Sequence, residues 1–255
     1  MRAAVFDSRS NKPGNWVSIE DLPRPQPQSG EVLLKVMACG VCRTDLHIVE
    51  GDLPPIRPRI VPGHQIVGEV VAGAIPGLPL GTRAGVSWMG GVDGDCWFCS
   101  HDMENLCDHP VFTGYSVNGG YAEYASVRAD FAIPLPAGLD DSHVAPLLCA
   151  GIITFAPSGK VVVSALSALR KGGVVAINAI HLDQMPAFDY DKLLWGERQI
   201  RSVANMTRQD ARDFLALAKD LNFRPRVVPF SLEDSNKALE AVKHETEDGS
   251  AVIVL

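Results

Sequence analysis

At 255 residues the chain is long enough to bury a full hydrophobic core, as one large domain or two smaller ones. With 46% hydrophobic and 21% charged residues it is globular in composition, and a net charge of −7 with scattered Lys and Arg argues against nucleic acid or an anionic membrane as partner. No eighteen apolar residues run together, and Met1-Arg2-Ala3-Ala4-Val5-Phe6-Asp7 breaks its apolar run too early for a signal peptide, so the expected location is cytoplasmic.

Residues 1–150 hold 14 of the 18 prolines and read as short strands joined by tight turns. Within them, 31–38 alternates, with Val32, Leu34, Val36 and Ala38 on one face, the pattern of a half-buried strand. That strand delivers Cys39 and Cys42 at its end. Residues 43–50 predict a short helix, and 66–72 a strand interrupted by Gly68. After Gly151 the texture changes. Residues 159–171 predict a helix with Val162, Val163, Leu166 and Leu169 on one stripe, stopped by Gly172-Gly173 and followed by an apolar buried strand over 174–180. A further strand is predicted at 200–205. Thr207 with Asp210 starts a helix to 221 in the manner of a capping box, Ser231 with Asp234 starts another to about 243, and 251–255 closes the chain as a strand. The expectation is an α/β protein with a β-rich, barrel-like N-terminal part. Its domains would be 1–153, closed by about 225–255, and 154–224. There is no internal repeat and no low-complexity segment.

Six cysteines, three of them within twelve residues of a long chain without a secretory signal, fit metal better than cross-links. Cys39-Gly40-Val41-Cys42-Arg43-Thr44-Asp45-Leu46-His47, followed by Pro62-Gly63-His64-Gln65, offers thiolate and imidazole ligands that suit zinc. Taken alone, the Cys39–Cys42 pair reads equally as a redox pair or as two small buried side chains. The second cluster lies in a loop crowded with Gly90, Gly91, Gly94 and Asp95. There Asp93, Cys96, Cys99 and Cys107 supply a carboxylate and three thiolates at spacings of three, three and eight, enough for a tetrahedral structural zinc. Asp93 has an alternative reading as a loop aspartate making an Asx turn before Gly94.

These segments resemble the zinc-containing alcohol dehydrogenases of the medium-chain dehydrogenase/reductase superfamily. Gly40-Val41-Cys42-Arg43-Thr44-Asp45-Leu46-His47 resembles the family's first ligand segment, and Gly63-His64-Gln65-Ile66-Val67-Gly68 its glycine-histidine-glutamate signature. The stretch 93–107 resembles its structural-zinc lobe, and Leu147-Leu148-Cys149-Ala150-Gly151 the segment bearing its last cysteine ligand. The resemblance implies a GroES-like barrel catalytic domain and a Rossmann-type domain that together oxidise alcohols to aldehydes or ketones, passing hydride to NAD or NADP. It implies two zinc ions per chain, the catalytic one on Cys42, His64 and Cys149 and the structural one on Asp93, Cys96, Cys99 and Cys107. Cys39 would be a neighbour and not a ligand. Thr44 and His47 fit the relay that carries a proton from the substrate, and Asp45 the group that orients His64. Arg43 matches a contact to the cofactor's pyrophosphate, and Ala156, Pro157, Ile177 and Asn178 would line the nicotinamide. Trp88 fits the wall of the alcohol pocket. Two departures are local: Gln65 stands where the family usually has glutamate, and Asp93 where it usually has the first cysteine of the structural site.

The larger departure is a gap. The family follows the Cys149-like segment with a strand, a glycine-rich turn and a helix that cradle the dinucleotide. Here Gly151-Ile152-Ile153 runs straight into Thr154-Phe155-Ala156-Pro157, and no two of the 23 glycines are separated by a single residue, so no G-x-G-x-x-G exists. Roughly eighty residues, the first half of a Rossmann domain, are missing on this reading. Three functions follow as expectations: an alcohol dehydrogenase by family with weak or absent dinucleotide binding, a zinc scaffold without turnover, or a zinc Lewis-acid enzyme that needs no dinucleotide. The shortened sheet exposes an apolar edge, which points to a homo-oligomer.

Overall fold

The structure, a computed structural model, describes residues 1–10, 12–149, 158–177 and 183–255. In chain order its strands and helices begin with β1 (Arg2–Asp7), β2 (Val17–Asp21), β3 (Glu31–Gly40), α1 (Arg43–Glu50), β4 (Arg59–Ile60), β5 (Gln65–Ala72) and β6 (Arg83–Val86). They continue with β7 (Met89–Gly91), β8 (Val111–Phe112), β9 (Tyr124–Arg128), β10 (Ile133–Pro134) and α2 (Asp141–Val144). Then come α3 (Gly159–Ala168), β11 (Val174–Ile177), α4 (Tyr190–Leu193), β12 (Gln199–Ser202), α5 (Arg208–Asp220), β13 (Val227–Phe230), α6 (Ser235–His244) and β14 (Ser250–Val254). Two compact units result, Met1–Ala150 together with Met206–Leu255, and Gly151–Asn205. No helix among the described residues is long and apolar enough to cross a membrane.

The first unit is organised on β3. Its alternation places Val32, Leu34 and Val36 in the core at 2% exposure or less. One edge pairs along its length with β5, while the other is shared, β9 taking residues 31–35 and β14 taking 38–40. Those partners carry β3 to Gly40, beyond the end of the alternation, because Cys39 is held between Ile66 and Ile253. The β2-β1-β4 sheet joins this one through residues 121–123: Ala4 N donates to Tyr121 O and Val36 N to Glu123 O. Both sheets therefore share one core, to which α1 contributes Leu46, Ile48 and Val49 and α6 contributes Ala238 and Leu239.

The chain re-enters the first unit at Met206, where the sequence places that return at about 225. The difference is α5, whose Ala211, Leu215 and Ala218 form a buried stripe and which lies against β10. The helix predicted to 171 stops at Ala168, because Leu169 is extended at φ −75° and ψ 137°. A 3₁₀ turn, Leu232–Asp234, follows Ser231 before α6 begins. The strand predicted over 200–205 ends at Ser202, and Asn205 has a positive φ of 57°.

In the second unit β11 and β12 pair in parallel, from Val174↔Gln199 to Ile177↔Ser202. The sequence reads 174–180 as a buried strand; of its described part, Val174 and Ala176 are exposed. A parallel pair is ordinarily buried by flanking layers, and among the described residues these two strands form a sheet of two.

The turn that presents His64 depends on close backbone approach. Gly63 has φ +96°, and Gly119 N donates to Val61 O at 2.7 Å. A Cβ on Gly119 would lie 2.0 Å from Gly63 O. Backbone cannot yield there without opening the turn, so Gly119→Ala should destabilise the protein by about 3 kcal/mol in urea unfolding. A loss under about 1 kcal/mol would show that the two segments separate freely.

Candidate active site

Paired on both edges, β3 ends rigidly, and Val41 N donates to Ala251 O at 2.9 Å before the chain turns into α1. Cys42 is the extended N-cap of that helix, with φ −120° and ψ 161°, so its thiol sits at a fixed helix start. Asp45, three residues on and fully buried, accepts Cys42 N–H on Oδ2 at 2.9 Å. Its Oδ1 accepts Gly63 N–H at 3.2 Å and His64 Nδ1–H at 3.0 Å. One carboxylate thus ties together the segments that carry Cys42 and His64.

With Nδ1 committed to Asp45, His64 presents Nε2, which is fully buried and has no hydrogen-bond partner in the structure. Cys42, His64 and Cys149 each offer a ligand atom within 4.8 Å of the others. Cys149 arrives from the end of a 3₁₀ turn, Ala145–Leu148, and is 6% exposed. A hydrogen bond from Cys149 holds the Cys42 thiol well below its usual range, and the same contact, with burial, pushes Cys149 up. Burial works to lower the His64 imidazole, but Asp45 and Cys42 outweigh it and raise it to about 10. An orphaned imidazole nitrogen facing two soft sulfurs fits a zinc ion with one coordination place left open.

Around this trio, the Cys42 thiol meets Thr44 Oγ1 at 3.8 Å. His47 pairs through Nδ1 with Asp52 at 2.7 Å, a partner with no signal in the sequence. Cys39 is buried outside the ligand set, its acidity suppressed mainly by desolvation. Gln65 is buried against Gly40, where a Cβ would lie 1.9 Å from its Oε1. Trp88 approaches His64 edge-on at 5.3 Å and stacks on Phe112 at 4.7 Å. Arg43 reaches Glu245 at 3.1 Å and Lys243 O at 3.4 Å, across to the end of α6. Ile177 ends β11 in the second unit, whereas Ala156, Pro157 and Asn178 lie outside the described residues.

The cysteine loop brings Asp93, Cys96, Cys99 and Cys107 together with ligand atoms within 4.8 Å of one another. Asp93 makes the Asx turn and also lies beside the three thiols. Its Oδ1 accepts N–H from Asp95 and from Cys96 at 3.2 Å each, as an Asx turn does, and the carboxylate still faces the thiols. Desolvation works to raise this carboxyl, but the N–H and S–H donors around it hold it well below the usual carboxylate range. Cys96 is lowered, chiefly by the Asp108 N–H, while desolvation pushes Cys99 up to about 12. Sequence reasoning missed Glu104, Arg128 and Arg208 beside this loop. Glu104 and Arg208 are 104 residues apart, and neither lies in a local motif that names the other.

Comparison with known proteins gives the context of these centres. Residues 28–137 match the alcohol dehydrogenase GroES-like domain. A probable alcohol dehydrogenase of Mycobacterium tuberculosis is 34% identical over 316 aligned positions, covering 92% of this chain and 91% of the relative. Since 92% of 255 residues is about 235, about 81 of those 316 positions have no counterpart in this chain. An alcohol dehydrogenase of Geobacillus stearothermophilus is 43% identical over 159 residues, 61% of this chain and 45% of the relative. In fold, the chain is similar to a cinnamyl alcohol dehydrogenase from Sorghum bicolor, with TM-score 0.82 at 19% identity, covering 99% of this chain and 97% of that one. It is likewise similar to a thermostable alcohol dehydrogenase from Pyrobaculum aerophilum with cobalt and zinc bound, with TM-score 0.78 at 20% identity, covering 100% and 99%. The chain belongs to the alcohol dehydrogenases of the medium-chain dehydrogenase/reductase superfamily, and is a short member of them.

Proposed function

We propose that this chain carries the zinc machinery of an alcohol dehydrogenase, acting on a small alcohol or aldehyde, with a dinucleotide grip far weaker than its family's. The observation that carries the reading is His64 Nε2, buried and unpartnered between Cys42 and Cys149. These three residues would hold a catalytic zinc, and Asp93, Cys96, Cys99 and Cys107 a structural one. Bound by the trio, zinc would lower the pKa of an alcohol or polarise a carbonyl. The rest belongs to the chain. Asp45 fixes the His64 tautomer, Thr44 beside Cys42 is placed to accept a proton, and His47, paired with Asp52, passes it outward.

The described residues leave a dinucleotide little to grip. The sequence holds no G-x-G-x-x-G, and the start of α3 is already filled, since the Asp183 carboxylate accepts Gly159 N–H and Ser158 Oγ–H. Arg43, half exposed and paired with Glu245, would add on the order of 1 kcal/mol to a phosphate contact. Losing two or three charge-assisted hydrogen bonds of roughly 1.5 to 3 kcal/mol each weakens binding a hundredfold or more. The exposed Val174 edge of the second unit supports self-association as part of the same reading.

Three measurements decide these points. Asp45→Asn should lower zinc affinity at the catalytic site about 10- to 100-fold in chelator competition, and unchanged affinity would mean that His64 is held without it. Titration with NADH followed by fluorescence should show a dissociation constant well above ~10 μM, and tighter binding with chelator-sensitive alcohol oxidation at ordinary rates would overturn the weak-grip reading. Light scattering at micromolar concentration should give more than a monomer mass; a clean monomer would rule out the open edge.

A further inference from the structure

The cysteine loop has a thin apolar core of Met89, Val92, Cys107 and Phe131. Its two ends are pinned by arginines from elsewhere in the first unit. At the first end Arg128 Nη1 donates to Val92 O at 2.8 Å, one residue before Asp93. At the other, Glu104 opens a 3₁₀ turn, Glu104–Leu106, and its carbonyl accepts Cys107 N–H at 3.1 Å. The Glu104 carboxylate takes Arg208 as a fork, Nη2 donating to Oε2 at 2.6 Å and Nε to Oε1 at 3.1 Å, and Oε1 also accepts Arg208 backbone N–H at 2.8 Å. Arg208 is the first residue of α5, so Glu104 also places an anion at that helix's N-terminus. The two guanidinium groups converge on Phe131, at 5.2 and 4.6 Å from its ring centre. Asp130 lies between them, 2.7 Å from Arg128 and 3.5 Å from Arg208.

We propose that Arg128 and Arg208 are positioning residues for the metal held by Asp93, Cys96, Cys99 and Cys107, and that metal occupancy of the loop is coupled to ordering of the first turn of α5. This rests on the reading of the loop as a zinc site. A carboxylate in place of a fourth thiolate is a weaker zinc ligand, so retention depends on how little the loop must be ordered to close. Pinning Val92 and Glu104 holds the chain immediately before Asp93 and three residues before Cys107, which lowers the ordering left for the metal to impose. Coupling of this kind is reciprocal, so metal that fixes Glu104 also fixes the start of α5.

The test is zinc release into excess chromogenic chelator from the full chain. Cys96→Ser identifies the phase that belongs to the loop, and its failure to remove a phase would overturn the zinc reading and the clamp with it. With that phase assigned, Arg208→Ala and Glu104→Gln should each speed it tenfold or more and leave the other phase unchanged. Arg208→Lys should rescue only in part, because an ammonium lacks the fork. In hydrogen exchange, Cys96→Ser should speed the amides at the start of α5 about tenfold and leave those of α6 alone. An arginine that merely stabilised the fold would lower Tm without changing release, so unchanged release in both Arg208→Ala and Glu104→Gln overturns the proposal.

Discussion

The buried carboxylate of Asp45 is the constraint on which the site depends. A fully buried carboxylate is costly unless its oxygens are saturated, and here three donors meet it, from Cys42 N, Gly63 N and His64 Nδ1. Two of those donors belong to residues that themselves offer metal ligands. Satisfying the charge and aligning the ligands are therefore one requirement. The long pairing of β3 with β5 makes it achievable, since it brings the end of β3 beside the turn that carries His64. β14 then fixes the last residues of β3 from the opposite edge, so the C-terminal strand also supports the start of α1.

The contrast between the two units is chemical. In the first, His64 Nε2 is buried without a hydrogen-bond partner beside the Cys42 and Cys149 thiols, and Gln65 Nε2 and the Tyr121 hydroxyl are buried without one as well. In the second, the helix start that could offer N–H groups to a phosphate instead receives the Asp183 carboxylate, and the parallel strands leave apolar side chains exposed. This chain brings together two groups of side chains that could hold a metal ion, with Gln65 and Asp93 as departures from the family's usual residues. About 81 positions of its alignment with the Mycobacterium tuberculosis relative have no counterpart in it.

Much of this was legible in the residues because the signals are local. Alternation over 31–38, the spacing of Cys96, Cys99 and Cys107 and the capping box at Thr207 are each set by neighbours in sequence. Both candidate ligand sets are brought together in space as those spacings suggest. The absence of a G-x-G-x-x-G is likewise a local signal, and it is the source of the expectation of a weak dinucleotide grip. What tertiary structure decided were the long-range choices. Gly40 and Gly119 are glycines because side chain and backbone approach them from residues far along the chain. Arg43, which the family resemblance offers to a cofactor, turns to Glu245, 202 residues away, and α5, with a buried stripe, lies against β10 in the first unit. Arg208 closes on Glu104 across 104 residues. Sequence spacing determines which side chains a turn, strand or helix presents together. Which distant charge or backbone meets them depends on the register of β3 with β5, β9 and β14, and that exists only once the sheet is formed.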